Sequence, residues 1–111
     1  MFAGFVAAEE GAAAARGGVY TLRGEAGNAV RSGRTNDLAR REAEHFRDPV
    51  LRDSEFGVEH TTDVYAEQRG LEQMLHDLYE PPLDRIRPIS ASNPRYDEYM
   101  GAARDYLGGG R

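Results

Sequence analysis

Apolar and polar residues alternate over Val19–Arg23 (VYTLR), with β-branched and aromatic side chains among them, so the segment predicts a strand. Turn chemistry follows in Gly24–Asn28 (GEAGN). A second short strand is expected over Ala29–Ser32, paired with the first as an antiparallel hairpin, with Gly33 interrupting it. Thr35, Asn36 and Asp37 supply a helix N-cap and a first-turn acid. The helix they start is expected from Asp37 to Arg47, with a thin apolar face of Leu38, Ala39, Ala43 and Phe46, until Asp48-Pro49 stops it.

The period then returns to two. Phe56–His60 (FGVEH) puts Phe56, Val58 and His60 on one side of a third strand. Thr61, Thr62 and Asp63 are expected to cap a longer helix, Asp63–Tyr79, whose core stripe is Val64, Leu71, Leu75 and Leu78. Gly70 inside that helix costs about 1 kcal/mol against alanine, which points to close backbone contact there. Pro81-Pro82 ends the helix. Asp84–Asn93 reads as a loop anchored by Ile86 and Ile89, and Asn93-Pro94 opens a last helix, Arg95–Leu107. The fold class is therefore α+β: a three-stranded antiparallel sheet flanked by helices.

Length and composition bound this picture. At 111 residues there is room for one small domain and one modest core. We assign residues 17–107 to that domain, 1–16 to an Ala-rich lead-in with a short helix, and 108–111 to a frayed tail. No apolar run approaches the ~20 residues of a membrane span, so no membrane contact is expected. The start lacks the basic and apolar regions of a secretory signal. It reads instead as the approach to a domain, so the chain is expected to be the C-terminal piece of something longer. With no cysteine, stability must come from packing alone.

Charge changes the picture more. The formal net charge is −5, yet every cation is an arginine. GC-rich codon usage explains that as well as function does. The chemical consequence is the same: planar forks suited to phosphate and carboxylate. Net acidity argues against nonspecific nucleic-acid binding but leaves room for a local basic cleft. Arg41 and His45, four residues apart, share one helix face. With Tyr20 on the first strand they form a corner able to hold a phosphate.

Gly18-Val19-Tyr20, then Arg31-Ser32-Gly33-Arg34-Thr35-Asn36-Asp37-Leu38, then Arg41 and His45, then Leu71-Glu72, resemble in order and spacing the GIY-YIG nuclease superfamily. The likeness covers about Gly17–Asp84, and the SGRTNDLARREAEH run is its most specific part. It departs at the second motif, where Arg31 stands in place of the tyrosine and only Gly33 remains. It departs again near Asp84, where the superfamily usually has an asparagine; Asn93 is a later candidate. The Ala/Gly-rich lead-in and the ASNPRYDEYMGAARDYL ending also resemble the nuclease domains at the C-termini of bacterial polymorphic toxins (Rhs, PAAR-linked and type VI carriers), which are paired with immunity proteins.

The resemblance implies a metal-dependent endonuclease acting on DNA, delivered as a secreted effector into the cytoplasm of a target bacterium. Tyr20 would be the general base or orient the water, against the alternative of a packed strand tyrosine. Arg41 would clamp the scissile phosphate, against a surface pair with Glu44 or Glu42, with Arg40 its competitor by adjacency. His45 would bind a phosphate oxygen or relay a proton, against a helix-end interaction. Glu72 would be the single ligand for Mg²⁺ or Mn²⁺, against a pair with Arg69, with Glu67 as runner-up. Arg31 and Arg34 are candidate phosphate contacts. His60 and His76 are read as structural, His76 within reach of Glu72, and Asp84 as a metal neighbour or a brace for the Tyr20 region. A catalytically silent protein-binding module on the same fold, or an RNase, are the alternatives.

Overall fold

The computed structural model describes residues 15–108; the lead-in up to residue 14 and residues 109–111 lie outside it. The chain forms β1 (Gly18–Arg23), β2 (Ala29–Thr35), α1 (Leu38–Arg47), β3 (Glu55–Thr61), α2 (Tyr65–Tyr79) and α3 (Tyr96–Gly108). Gly108, placed in the tail on sequence grounds, closes α3. The sheet is antiparallel in the order β2-β1-β3, so the tyrosine strand is central, and the α+β class read from the sequence holds. Among the described residues no helix is long and apolar enough to cross a membrane.

The hairpin turn closes with Gly24 N–H donating to the Asn28 carbonyl (3.1 Å) and Gly27 at φ 87°, a conformation that favours glycine. β2 does not stop at Gly33. It runs on to Thr35, because Gly33 lies directly across from Tyr20 and the tyrosine ring covers it. A Cβ on Gly33 would sit 2.7 Å from Tyr20 Cζ, so glycine here makes room for a ring and breaks nothing.

β3 carries an irregularity that reverses one sequence expectation. Tyr20 faces Val58 while Val19 faces His60, which leaves Glu59 as an extra residue. Phe56 thus stays on the Tyr20 face, but His60 turns to the other side and meets Tyr106 of α3 edge-on at 5.4 Å. Glu59 uses the same turn to accept from Thr21 Oγ1 (2.7 Å) and to pair with Arg23 (3.2 Å).

The two sheet faces hold separate cores. Val19 packs with Leu71, Leu75 and Ala103 beneath α2 and α3, and Tyr20 and Leu22 pack with Leu51 and Phe56 on the opposite side. In α2 the expected stripe is only half right: Leu71 and Leu75 are buried, while Val64 and Leu78 are exposed. The fully buried places go instead to Gln68 and Gln73, each bonded. Gln68 donates to the Thr62 carbonyl (2.8 Å), and Gln73 accepts from Ile89 N–H (2.9 Å) and donates to Asp77 (2.8 Å).

The cap of α2 also differs from expectation. Val64 is the N-cap residue and offers no side-chain bond; Thr62 Oγ1 accepts from Val64 N–H (3.1 Å), and Asp63 turns back to accept from Gly17 N–H (2.7 Å). For α1 the expected capping holds, with Asp37 accepting from Arg40 N–H (3.1 Å). In the loop before α3, Ile89 is a buried anchor, whereas Ile86 is exposed.

Gly70 is the contact point between α2 and α3, as its placement in the sequence suggested. A Cβ there would lie 2.7 Å from Ala103 Cβ and closer still to the Tyr99 carbonyl. Overpacking typically costs about 1–3 kcal/mol and outweighs the ~1 kcal/mol gained in helix propensity. Gly70→Ala is therefore expected to lower unfolding stability in a denaturant titration. Gly101→Ala, where the nearest neighbour is 3.9 Å away, is expected to raise it by about 0.5–1 kcal/mol. Equal effects of the two substitutions would contradict this account of the helix contact.

Candidate active site

The central strand brings Tyr20 to the sheet face that α1 covers. Its ring stacks on Phe56 (centroids 4.7 Å apart), and its hydroxyl meets His45 Nε2 at 3.1 Å. Tyr20 is only 4% exposed. The ring is packed, as the alternative reading had it, and the hydroxyl points inward, onto α1. Burial raises the Tyr20 pKa above 10.0; Arg41 and Arg31 oppose that shift, and Glu72 and Asp84 add to it. His45 moves the other way. Burial, then Arg31 and Arg41, push its pKa below 6.5, so the imidazole is neutral at neutral pH. A neutral ring with its proton on Nδ1 can accept the tyrosine proton at Nε2.

Beside this pair lies a basic trough made of two adjoining cavities. The larger, about 590 Å³, is lined by Arg34, Arg40, Arg41, Arg69 and Arg87, with Glu72 as its carboxylate. The smaller, about 340 Å³, adds Arg31 and Arg85 and is also walled by the carboxylates of Glu72 and Asp84 and by Ile86 and Pro88. Seven of the fourteen arginines of an acidic chain thus line one surface feature. Arg41 and Glu72, from different helices, face the same cavity. Tyr20 lines neither cavity but feels the charges of both residues. His45 lines a third, largely apolar cavity of about 380 Å³ between α1, Leu51 and Phe56.

Arg40 and Arg41 both line the trough, so position alone does not separate them. Their environments do. Arg40 is mostly exposed and lies 3.8 Å from Glu44. Arg41 pairs with Glu44 through Nη1 (3.1 Å), the surface pair anticipated as its alternative role, but its Nε is buried with no hydrogen-bond partner. An orphaned guanidinium donor beside a cavity is a place for an anion.

Arg34 reaches Gln68 (3.4 Å), lies 3.8 Å from Glu72 and covers the Tyr65 ring at 4.8 Å. Glu72 pairs loosely with Arg34, and not with Arg69 as its alternative reading supposed. It accepts no hydrogen bond from the described residues. Burial raises its pKa above 4.5, Arg34 opposes the shift, and Asp84 reinforces it.

The remaining candidates are occupied. Asp84 accepts from Ser32 N–H (2.9 Å) and Oγ (2.5 Å) and meets His76 Nδ1 at 3.2 Å, which makes it a brace between β2 and the end of α2. His76 bonds Asp84 and not Glu72. Glu67 accepts from Thr62 Oγ1 (2.6 Å) at the start of α2, and Asn93 Oδ1 accepts from Arg95 N–H (2.8 Å).

Three of the trough arginines were not phosphate-contact candidates on sequence grounds. Arg69 was visible as the residue three before Glu72, on the same helix face. Arg85 and Arg87 flank Ile86 in a stretch read only as a loop.

Among the described residues no group of three or more His, Asp or Glu side chains is arranged to hold a metal ion. A partly desolvated carboxylate without hydrogen bonds, such as Glu72, still suits a hard divalent cation that takes its other ligands from water and phosphate. No family model, curated protein or solved structure matches this chain.

The depressed pKa of His45 fixes the sign of a pH effect. The unfolded chain binds a proton near pH 6.5, before the folded one does, so the contribution of His45 is present above that pH and lost as pH falls toward the lower folded pKa. Wild type is expected to lose stability relative to His45→Gln between pH 7 and pH 5, as measured by urea denaturation. A gain relative to the variant on acidification would refute the buried neutral imidazole.

Proposed function

We propose that this chain is a metal-dependent endonuclease that hydrolyses DNA phosphodiester bonds. One observation carries the reading: Arg41, with its orphaned Nε, and Glu72, with its unbonded carboxylate, face one arginine-lined trough. The likeness of the motifs to the GIY-YIG superfamily supports it. So does the context that likeness suggests, a toxin domain delivered into a target bacterium and neutralised by an immunity protein.

The arginine forks bind the backbone phosphates, and Arg41 donates to the non-bridging oxygens as charge builds on them. Glu72 is the residue that would hold Mg²⁺ or Mn²⁺, which when bound supplies positive charge at the developing oxyanion. Burial keeps Tyr20 protonated at neutral pH, so it is not a standing base. Its hydroxyl, bonded to His45 Nε2 and lining neither cavity, does not reach the attacking water; the buried pair instead seats α1 against the sheet and so positions Arg41 at the trough. Arg31, where a second tyrosine was expected, adds its charge to the smaller cavity.

The test incubates the protein with plasmid and Mg²⁺ or Mn²⁺, with tRNA alongside. Wild type is expected to nick plasmid. Arg41→Ala and Glu72→Ala are expected to slow nicking by about 10²–10³-fold, and Arg40→Ala by less than about tenfold. Intact plasmid under both ions, or normal cutting by both Arg41→Ala and Glu72→Ala, would overturn the proposal. Cleavage of tRNA in preference to plasmid would replace DNA by RNA as the substrate.

A further inference from the structure

Ile86 is 84% exposed, the most exposed large apolar side chain among the described residues, yet it lines both cavities of the trough. Isolated exposed apolar residues are common and by themselves mean nothing. This one differs in how it is presented. Its neighbours in sequence divide between the cavities, Arg85 to the smaller and Arg87 to the larger.

The loop that carries it is tied down at both ends. On one side Asp84 grips Ser32 and His76, and Leu83 N–H donates to the Val30 carbonyl (2.9 Å). On the other side Arg69 donates to the Pro88 carbonyl (3.2 Å), and the buried Ile89 donates its N–H to Gln73 (2.9 Å). Arg87 lies over the Tyr96 ring at 5.8 Å and donates to the Ile89 carbonyl. The loop holds the isoleucine out between Arg85 and Arg87, at the junction of two arginine-lined cavities that share Glu72.

From this geometry we infer that Ile86 is a wedge that enters a base step of duplex DNA lying along the trough and unstacks it, while Arg85 and Arg87 hold the phosphates on either side. Apolar side chains flanked by phosphate-binding cations perform this task when proteins kink a duplex. Unstacking at Ile86 loosens the backbone next to Glu72 and Arg41, so the wedge selects for steps that open easily. The inference rests on the proposed nuclease reading for its substrate, but its own readout is base stacking.

The experiment places 2-aminopurine at successive positions of a short duplex and follows its fluorescence on binding in EDTA, with Glu72→Gln protein to prevent cutting. The expected result is a several-fold rise at one step. Glu72→Gln/Ile86→Ala is expected to bind the duplex within about threefold of the single variant and give no rise. In a cleavage assay with Mg²⁺, Ile86→Ala alone is expected to cut a fully paired duplex about tenfold more slowly than wild type, and a duplex mismatched at that step within twofold.

An equal fluorescence rise with and without Ile86, or equal slowing on both duplexes, overturns the wedge. A rise that depends on Ile86 in a protein that cuts nothing sustains the wedge and removes the nuclease. Cutting with no rise does the reverse. No binding to duplex at all removes both.

Discussion

Helix α1 buries one side chain among its ten residues, His45, and that side chain is bonded to Tyr20. The consequences run outward from this contact. α1 carries Arg40 and Arg41, so its seating against the sheet sets where two trough arginines stand. Tyr20 can reach α1 only because Gly33, across the hairpin, has no side chain under its ring. One hydrogen bond thus links the central strand to the helix, and a glycine on the edge strand leaves room for it. It is buried on both sides, where an unmade bond leaves a donor or acceptor without water and costs about 1–3 kcal/mol. Leu51 and Phe56 close the apolar surroundings that keep both partners neutral.

Around that neutral pair the charge distribution is lopsided. The chain is acidic overall, yet half of its cations line one trough; Glu44 pairs with Arg40 and Arg41 and Glu72 lies 3.8 Å from Arg34, while other carboxylates are bound up with different partners. Asp84 is spent on Ser32 and His76, and Glu59 on Thr21 and Arg23. Arg69 is fixed by Tyr65 and the Pro88 carbonyl, neutral partners that orient its charge without cancelling it. A cluster of like charges held this way is destabilising on its own and is relieved when an anion settles among them. The acidic remainder of the surface would repel a polyanion, so the charge distribution favours the trough over the rest of the surface for any anion.

Much of the fold was legible because its signals are local. The VYTLR alternation, the GEAGN turn, the Asp37 cap and the prolines after α2 each act within a few residues. What was missed depends on partners distant in sequence. An extra residue at Glu59 turns His60 to the opposite face, and nothing in FGVEH marks it. Gln68 and Gln73 displace Val64 and Leu78 from the buried side of α2 because the Thr62 carbonyl and Ile89 N–H need partners there. The site divides along the same line. Order and spacing singled out Tyr20, Arg41, His45 and Glu72; the structure brings Arg41 and Glu72 to one cavity and bonds Tyr20 to His45 behind it, with His45 facing a separate cavity. Arg69, Arg85 and Arg87 join the trough only through the path of the loop between α2 and α3.

Arg31 draws these threads together. Burial moves the pKa of Tyr20 up and that of His45 down, which widens the gap that a proton must cross between them. Arg31 and Arg41 lower both values, so in the free protein the gap stays wide and the neutral pair is the resting state. A bound phosphodiester would offset those two cations with its own charge. That raises the basicity of His45 at the site where the arginines had depressed it, while leaving Tyr20 protonated. The same offset raises Tyr20 as well, so the gap between the two is set by burial and the neutral pair persists when an anion fills the trough. A second tyrosine at position 31 would lack that charge, so the arginine there adds a cation to the trough without unsettling the buried pair that seats α1.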